Sequence, residues 1–178
     1  HLLMEEGGVN ETFCVEQTDL PLLVRMDSKS FLNEADIRDE GDQNTHLFIN
    51  EPDAKILPAS KGSLALGDSK PKLEAVSTVR LLDGREVEVR TVYALLRERL
   101  KGYTPEFVAK TCGIGVGMVH RMFKDVQAAK AMANVTTSNV NKYYHGNLAE
   151  RSMILLFALK GQFGQKGAGY SAFPMVTL

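Results

Sequence analysis

The sequence lacks the features of a disulfide scaffold, a metal-binding finger or a membrane span. Cys14 and Cys112 are its only cysteines in 178 residues, and they lie too far apart for a paired-cysteine metal motif. We expect two buried thiols, with a single disulfide as the alternative. The longest apolar run, at residues 153–159, is far shorter than the ~20 residues that cross a bilayer. It predicts a core helix.

No excess of charge is present either. Lysine and arginine number 21 against 22 acidic residues, so the net charge is -1, which argues against a general nucleic-acid binder. Hydrophobic residues at 44% and charged residues at 24% are typical of a globular domain. His1 stands where an initiating Met would, and no basic segment or cleavage site follows, so we expect no targeting peptide and a start within a longer sequence.

The first ninety residues predict short strands. Residues 11–16 suit a buried strand, and Pro21 begins an extended connector. Residues 33–72 are polar and broken by proline, which predicts a surface excursion with at most two short strands, at 47–49 and 55–57. Asp83-Gly84 lies between two apolar segments and predicts a tight hairpin, because this pair readily supplies positive φ angles.

Helices dominate the remainder. Apolar spacing predicts a helix over 92–100 that ends at Gly102, and Thr104-Pro105 is typical of a helix start. A further helix is expected from 118 to 133, then a strand at 134–138. Asn147 and Glu150 have capping-box spacing before the apolar helix that ends at Gly161. This alternation predicts an α/β fold: part of a layered mixed sheet with flanking helices, plus a polar excursion that contains the hairpin.

Two segments are candidates for binding. Residues 161–169 concentrate four of the fifteen glycines, which permits close approach of backbone N–H groups to a phosphate. Neither a P-loop nor a dinucleotide fingerprint is present there, and a flexible exit from a helix is the alternative. Residues 139–147 place amides, phenols, an ammonium and an imidazole between a strand and a helix N-terminus, where α/β proteins bind ligands. A simple polar loop is the alternative.

Four segments carry a resemblance to a known family. They are EQTDLPLLVR at 16–25, YTPE at 103–106, KYYHGN at 142–147 and ALKGQFGQKG at 158–167. In this order they resemble an internal part of the molybdenum catalytic subunits of the dimethyl sulfoxide reductase family. The branch with ethylbenzene dehydrogenase, dimethylsulfide dehydrogenase and the selenate, chlorate, perchlorate and nitrate reductases is the most similar.

The resemblance implies a larger enzyme. The 178 residues would be an internal fragment, inactive alone, with a strand and connector at 1–32, the excursion at 33–90 and a cofactor-binding part at 91–178. It implies two molybdopterin guanine dinucleotides (bis-MGD) that hold molybdenum or tungsten, with the metal ligand and a 4Fe-4S cluster elsewhere in the subunit. An iron–sulfur electron-transfer subunit and a periplasmic location are further implications.

The resemblance also implies roles for individual residues. Lys142 is the leading catalytic candidate, since an ammonium in a partly desolvated site can donate a proton or hold an anion. Tyr144 and His145 are the other catalytic candidates, and Tyr143 and Phe173 would line the substrate channel. The cofactor-binding candidates are Asn141, Gly146, Asn147, Gly161, Gly164, Gly167 and Gly169.

The sequence leaves alternatives open for several residues and for the substrate. Residues 173–175 depart from the family pattern, so pterin contacts beyond Gly169 are not implied. Thr18 and Asp19 could bond cofactor atoms, or Asp19 could cap a local turn. The substrate could be a hydrocarbon, a sulfide or an oxyanion. The alternative to catalysis is a cofactor-binding or interaction module that kept the fold alone.

Overall fold

The computed structural model describes residues 1–59, 66–136 and 140–171, and for Asn141 the backbone only. The helices are α1 (Leu2–Glu5), α2 (Glu11–Gln17), α3 (Glu34–Ile37), α4 (Val92–Leu100), α5 (Pro105–Cys112), α6 (Val116–Ala128) and α7 (Gly146–Leu159). The strands are β1 (Leu23–Arg25), β2 (Leu47–Ile49), β3 (Ile56–Pro58), β4 (Val76–Arg80), β5 (Glu86–Thr91), β6 (Ala133–Val135) and β7 (Gly169–Ser171). The α/β prediction is confirmed.

The chain forms two compact units. Residues 11–102 make one, and residues 1–10 together with 103 onward make the other. The first contains an antiparallel sheet in the order β1-β5-β4 and the antiparallel pair β2-β3. Leu23, Leu47 and Val89 are fully buried in its core. The short strands expected near 47–49 and 55–57 are present as β2 and β3, but residues 47–49 do not lie on the surface, because β2 contributes buried side chains to that core.

The hairpin predicted around Asp83-Gly84 is confirmed as β4-β5. Its turn is looser than expected, because Gly84 has a positive φ of 85° and Asp83 does not. The Gly84 N–H donates to the Leu81 carbonyl at 3.0 Å, and the Leu81 N–H donates to the Arg85 carbonyl at 2.8 Å. This pattern is a three-residue loop that needs glycine only at its last position.

The strand predicted at residues 11–16 is wrong, since this segment is α2. Cys14 lies on its buried side while Glu11 and Glu16 are exposed, so the helix has one apolar face. Past the helix end, the Thr18 hydroxyl donates to the Cys14 carbonyl. The strand comes later, where Leu23 pairs with Thr91 of β5.

Helix α5 begins where the sequence predicts it. The Thr104 side chain accepts from the Phe107 N–H at 3.2 Å, and Pro105 is the first helical residue. Gly113 ends the helix in the left-handed conformation, with φ 69°. Gly115 is the N-cap of α6, so Gly113 and Gly115 lie in a turn between the two helices.

The helix expected to reach residue 133 instead ends at Ala128. Met132 forms no helical hydrogen bond; instead its N–H donates to Gln162 Oε1 at 2.7 Å and its carbonyl accepts from the Gly169 N–H at 2.9 Å. The strand β6 follows directly and pairs in parallel with β7. The partners Gln162 and Gly169 are 30 and 37 positions away in the sequence, so helical propensity does not predict these bonds.

The segment β6-α7-β7 is a parallel βαβ unit. Ala133 pairs with Gly169 and Val135 with Ser171, so both strands run the same way while α7 returns between them. Phe157 of α7 is buried and meets Tyr170 of β7 edge-to-face, with ring centroids 5.9 Å apart. This unit carries both candidate binding segments.

Candidate functional site

The first candidate segment leaves the carboxyl end of β6. Residues Val140–Lys142 form a short 3₁₀ helix, and the chain then turns into α7 at His145. His145 is the N-cap in a left-handed conformation, with φ 59° and ψ 23°, and its side chain caps nothing. The expected capping box is therefore wrong: Asn147 lies inside the first turn, and Glu150 accepts from the Thr136 hydroxyl at 3.1 Å.

Lys142, Tyr143, Tyr144 and His145 are brought together on one exposed loop. Tyr143 is 76% exposed and Tyr144 is 91% exposed, while Lys142 and His145 are exposed as well. The Tyr144 and His145 rings lie against each other, with centroids 3.9 Å apart. The described residues of this chain therefore do not desolvate the Lys142 ammonium as expected, so any desolvation must come from whatever covers the loop.

This loop presents groups that favour anions. Lys142 supplies a positive charge, and the N-terminus of the fourteen-residue α7 begins four residues later. The helix dipole favours negative charge at such an end, although the Leu148 N–H already donates to the His145 carbonyl at 2.9 Å. Gly146 is buried and donates to the Tyr143 carbonyl at 2.8 Å, which holds the loop against the helix start. The positive charge of Lys142 and the helix dipole therefore favour an anionic group near this loop.

The second candidate segment is a glycine-rich turn between α7 and β7. Gly161, Gly164 and Gly167 have positive φ values of 64°, 78° and 79°, and a Cβ added at Gly164 or Gly167 would meet nothing within 4 Å. Gly169 has φ 140° and donates to Met132 at the start of β6. Positive φ therefore accounts for glycine at each of these positions, and the open side leaves room for a ligand.

The two segments do not converge. The Lys142 loop follows the carboxyl end of β6, whereas the glycine-rich turn precedes the amino end of β7. Because the strands are parallel, the two segments lie at opposite ends of the strand pair. The fourteen-residue α7 separates them by about 20 Å along its axis. A single phosphate cannot contact both segments. An extended dinucleotide, or two cofactors, can do so.

Sequence reasoning missed the residues that position these segments. Gln162 is 2% exposed and connects the start of the glycine-rich turn to the residue before β6, accepting from the Met132 N–H and donating to the Lys160 carbonyl at 3.2 Å. Thr136 is buried and bonds to Glu150. Neither contact has a local signal, since the partners Met132 and Gln162 are 30 residues apart in sequence and Thr136 and Glu150 are 14 apart.

Other expectations are answered only in part. Phe173 and the side chain of Asn141 lie outside the described residues. Cys14 is buried as predicted, but Cys112 is exposed, and neither forms a disulfide. Within residues 1–59, 66–136 and 140–171, no cluster of three His, Cys, Asp or Glu side chains has the arrangement of a metal site. No helix in the same ranges is both long and apolar enough to span a bilayer.

Comparison with curated proteins gives matches along nearly the whole chain. The dimethylsulfide dehydrogenase alpha subunit of Rhodovulum sulfidophilum is 34% identical over 173 residues, and the respiratory nitrate reductase alpha subunit of Haloferax mediterranei is 32% identical over 183. Each match covers 94% of this chain and 18% of the relative. The perchlorate reductase alpha subunit of Dechloromonas aromatica is 29% identical over an aligned length of 199 residues, gaps included. This alignment covers 97% of this chain and 22% of the relative.

The chain belongs to the dimethyl sulfoxide reductase family of molybdenum enzymes. It spans about a fifth of the length of these alpha subunits. The resemblance carried by the four segments is thus confirmed at the level of the family. No protein-family model matches the chain.

Proposed function

We propose that these residues form part of the catalytic subunit of a molybdopterin-dependent oxidoreductase. The match over 94–97% of the chain to alpha subunits of this family carries the proposal. The reaction would be oxygen-atom transfer or hydroxylation coupled to electron transfer. The relatives are named for perchlorate, nitrate, chlorate and dimethylsulfide, so the substrate would be an oxyanion or a small reduced compound.

The cofactor would be bis-MGD with molybdenum or tungsten. Two segments support this proposal: the glycine-rich turn, with open space at Gly164 and Gly167, would bind one portion, and the start of α7 at Gly146 and Asn147 would bind another. Each would bind a different portion of the cofactor, because α7 separates them. When bound, the metal centre supplies the two-electron chemistry. Asn141 would contribute a further polar contact, and Gly161 and Gly169 would shape the ends of the turn.

The loop after β6 would serve the substrate side. Lys142 would hold an anionic group or a proton, since its ammonium is the positive charge nearest the start of α7 in the chain. Tyr144 and His145, whose rings are in contact, would donate hydrogen bonds to the same group. Tyr143, together with Phe173, would line the route by which substrate enters.

The rest of the catalytic machinery would lie elsewhere in the assembly. A 4Fe-4S cluster and the metal ligand would belong to other parts of the same subunit, and an iron–sulfur subunit would carry electrons. The relatives are named as alpha subunits, which supports the presence of further subunits. We place the enzyme in the periplasm as part of the same proposal.

The experiment uses the full-length subunit with Lys142→Met. Loss of a positioned acid or anion contact should lower kcat/KM by about 10²–10⁴-fold, the usual range for general acid catalysis. Reduced-viologen assays with nitrate, chlorate and perchlorate, and dye-linked oxidation of dimethylsulfide, would supply the activity. Lys110→Met, at another exposed lysine in α5, is the matched control and should leave activity unchanged.

Molybdenum and pterin content must be measured on both variants. Equal content with activity lost only in Lys142→Met supports the assigned role. Full activity in Lys142→Met would reject Lys142 as a substrate residue. Equal loss in the two lysine variants would show a general effect of charge removal and reject the specific role as well.

A further inference from the structure

An apolar groove in the unit formed by residues 1–10 and 103 onward takes no part in the site described above. It has a volume of about 340 Å³ and is formed by α1, α5 and α6, with Leu156 of α7. Val108, Ile114 and Met118 are among its lining residues. His1 lines one part of it, but no acidic residue, lysine or arginine does, and the other lining residues are almost all apolar, so the groove suits an apolar occupant.

Part of the apolar side of α6, along the groove, is exposed to solvent. Met118 is 60% exposed and Met122 is 62% exposed, while Phe123 beside them is only 9% exposed and lies at the groove floor. Arg121 and Lys124 are also exposed on the same helix but do not line the groove. An amphipathic helix that leaves two methionines of its apolar side in water is typical of a surface that another segment covers.

The length of the relatives supports an occupant from the same polypeptide. The chain accounts for 18–22% of the alpha subunits it matches, so about four-fifths of such a subunit lies outside these residues. The parallel pair β6-β7 in the same unit points the same way. Among the described residues this sheet has two strands, and Val135 is 73% exposed, whereas parallel sheets are usually larger and covered on both faces.

We propose that this groove is an intramolecular docking site, covered in the whole subunit by an apolar segment of the same polypeptide from outside residues 1–178. The proposal rests on the proposed function in one respect, since it takes these residues to be part of a longer alpha subunit. The occupant would insert apolar side chains between α5 and α6, where the flexible Met118 and Met122 side chains can adapt to its shape.

A cross-linking experiment on the full-length subunit identifies the occupant. A photoreactive benzoylphenylalanine in place of Met122 would be activated by light, and the joined peptide sequenced by mass spectrometry. A cross-link within one polypeptide to a segment outside residues 1–178 supports the proposal. A cross-link to residues 1–178, to a second copy or to another subunit overturns it, and so does the absence of any peptide adduct. The same group in place of Arg121 is the control and should join that segment in lower yield.

Methionine oxidation provides a test that needs no substitution at the groove. In the full-length subunit, separated from any partner, Met118 and Met122 should react with peroxide about tenfold or more slowly than the methionine of an Arg121→Met variant, because a packed interface excludes the reagent. Equal rates would overturn the proposal. Molybdenum content measured on the same sample separates the two claims: metal present with both methionines reactive rejects only the docking site, and protected methionines without metal reject only the proposed chemistry.

Discussion

The Thr136 hydroxyl donates to a carboxylate oxygen of Glu150 at 3.1 Å, which ties the end of β6 to the second turn of α7. Thr136 is buried, and its N–H also donates to the Ser171 carbonyl at 2.9 Å. The loop that carries Lys142 lies between Thr136 and Glu150 in the sequence. The hydrogen bond between these two residues therefore holds the segments on either side of the loop together.

Removal of the Glu150 carboxylate should destabilise this base. Glu150→Ala leaves the buried Thr136 hydroxyl without its acceptor, and we expect a loss of about 1–3 kcal/mol in the free energy of unfolding. Glu150→Gln keeps an acceptor oxygen and should lose less. Urea unfolding measures both. Arg151→Ala, at the next and exposed position, is the control, and equal stability of Glu150→Ala and Arg151→Ala would contradict the role of this bond.

Gln162 should be more important for folding than its neighbour Gln165. Gln162→Leu keeps the bulk of the side chain but leaves the Met132 N–H without its 2.7 Å acceptor, so we expect a cost of about 1–3 kcal/mol. Hydrogen exchange at the Met132 amide should accelerate at the same time. Gln165→Leu also removes one bond, to the Gly161 carbonyl, but at an exposed residue, so its cost should be smaller. The reverse order would refute this account of the turn.

Substitutions of His145 should separate the effect of backbone strain on stability from the role of the imidazole in activity. A side chain in the left-handed region is unfavourable, so His145→Gly should gain up to about 1 kcal/mol of stability, whereas His145→Ala keeps the strain and should not. Both remove the imidazole. If the imidazole contacts substrate or cofactor, both variants of the full-length enzyme should lose activity although only one gains stability. Thermal unfolding and kcat/KM together test this, and a glycine variant without a stability gain would contradict it.

The two thiols should differ in reactivity and in their effect at high pH. Burial, and to a smaller extent the nearby Glu11 carboxylate, raises the pKa of Cys14 to about 11 from an ordinary 9.0. A raised pKa favours the protonated thiol in the folded state, so this contribution to stability is complete below about 9 and is lost as the pH rises through about 11.

Thiol titration of the 178-residue chain at pH 8 should therefore show one fast group, the exposed Cys112, with Cys14 reacting only after unfolding. Stability measured between pH 8 and pH 11 should fall less steeply in Cys14→Ala than in the unaltered chain. Cys112→Ala is the control and should abolish the fast reaction. Two equally fast thiols in the native chain would contradict the burial of Cys14.

Elements with local signals were predictable from sequence, and those fixed by distant partners were not. Thr104 and Pro105 act within the first turn of α5, and the structure confirms both. The end of α6 was misplaced because Met132 bonds to Gln162 and Gly169, far along the chain. The strand predicted at 11–16 is a helix, because a short apolar run such as 13–15 does not distinguish the two periodicities.

The candidate site shows the same division. Its residues were predicted from the resemblance, and the structure does gather Lys142, Tyr144 and His145 on one loop at the carboxyl end of a parallel strand. That the glycine-rich turn lies at the opposite edge could not be read from sequence, because it depends on the parallel pairing of β6 with β7. The individual roles of these residues stay predictions.

The most direct test of the central claim is metal and nucleotide analysis of the purified full-length polypeptide that contains these residues. We expect about one molybdenum or tungsten and about two guanine nucleotides, released by acid from the pterin cofactor, per catalytic subunit. A folded full-length protein with neither metal nor guanine nucleotide would contradict the account. It would show that the fold has been kept without the redox cofactor.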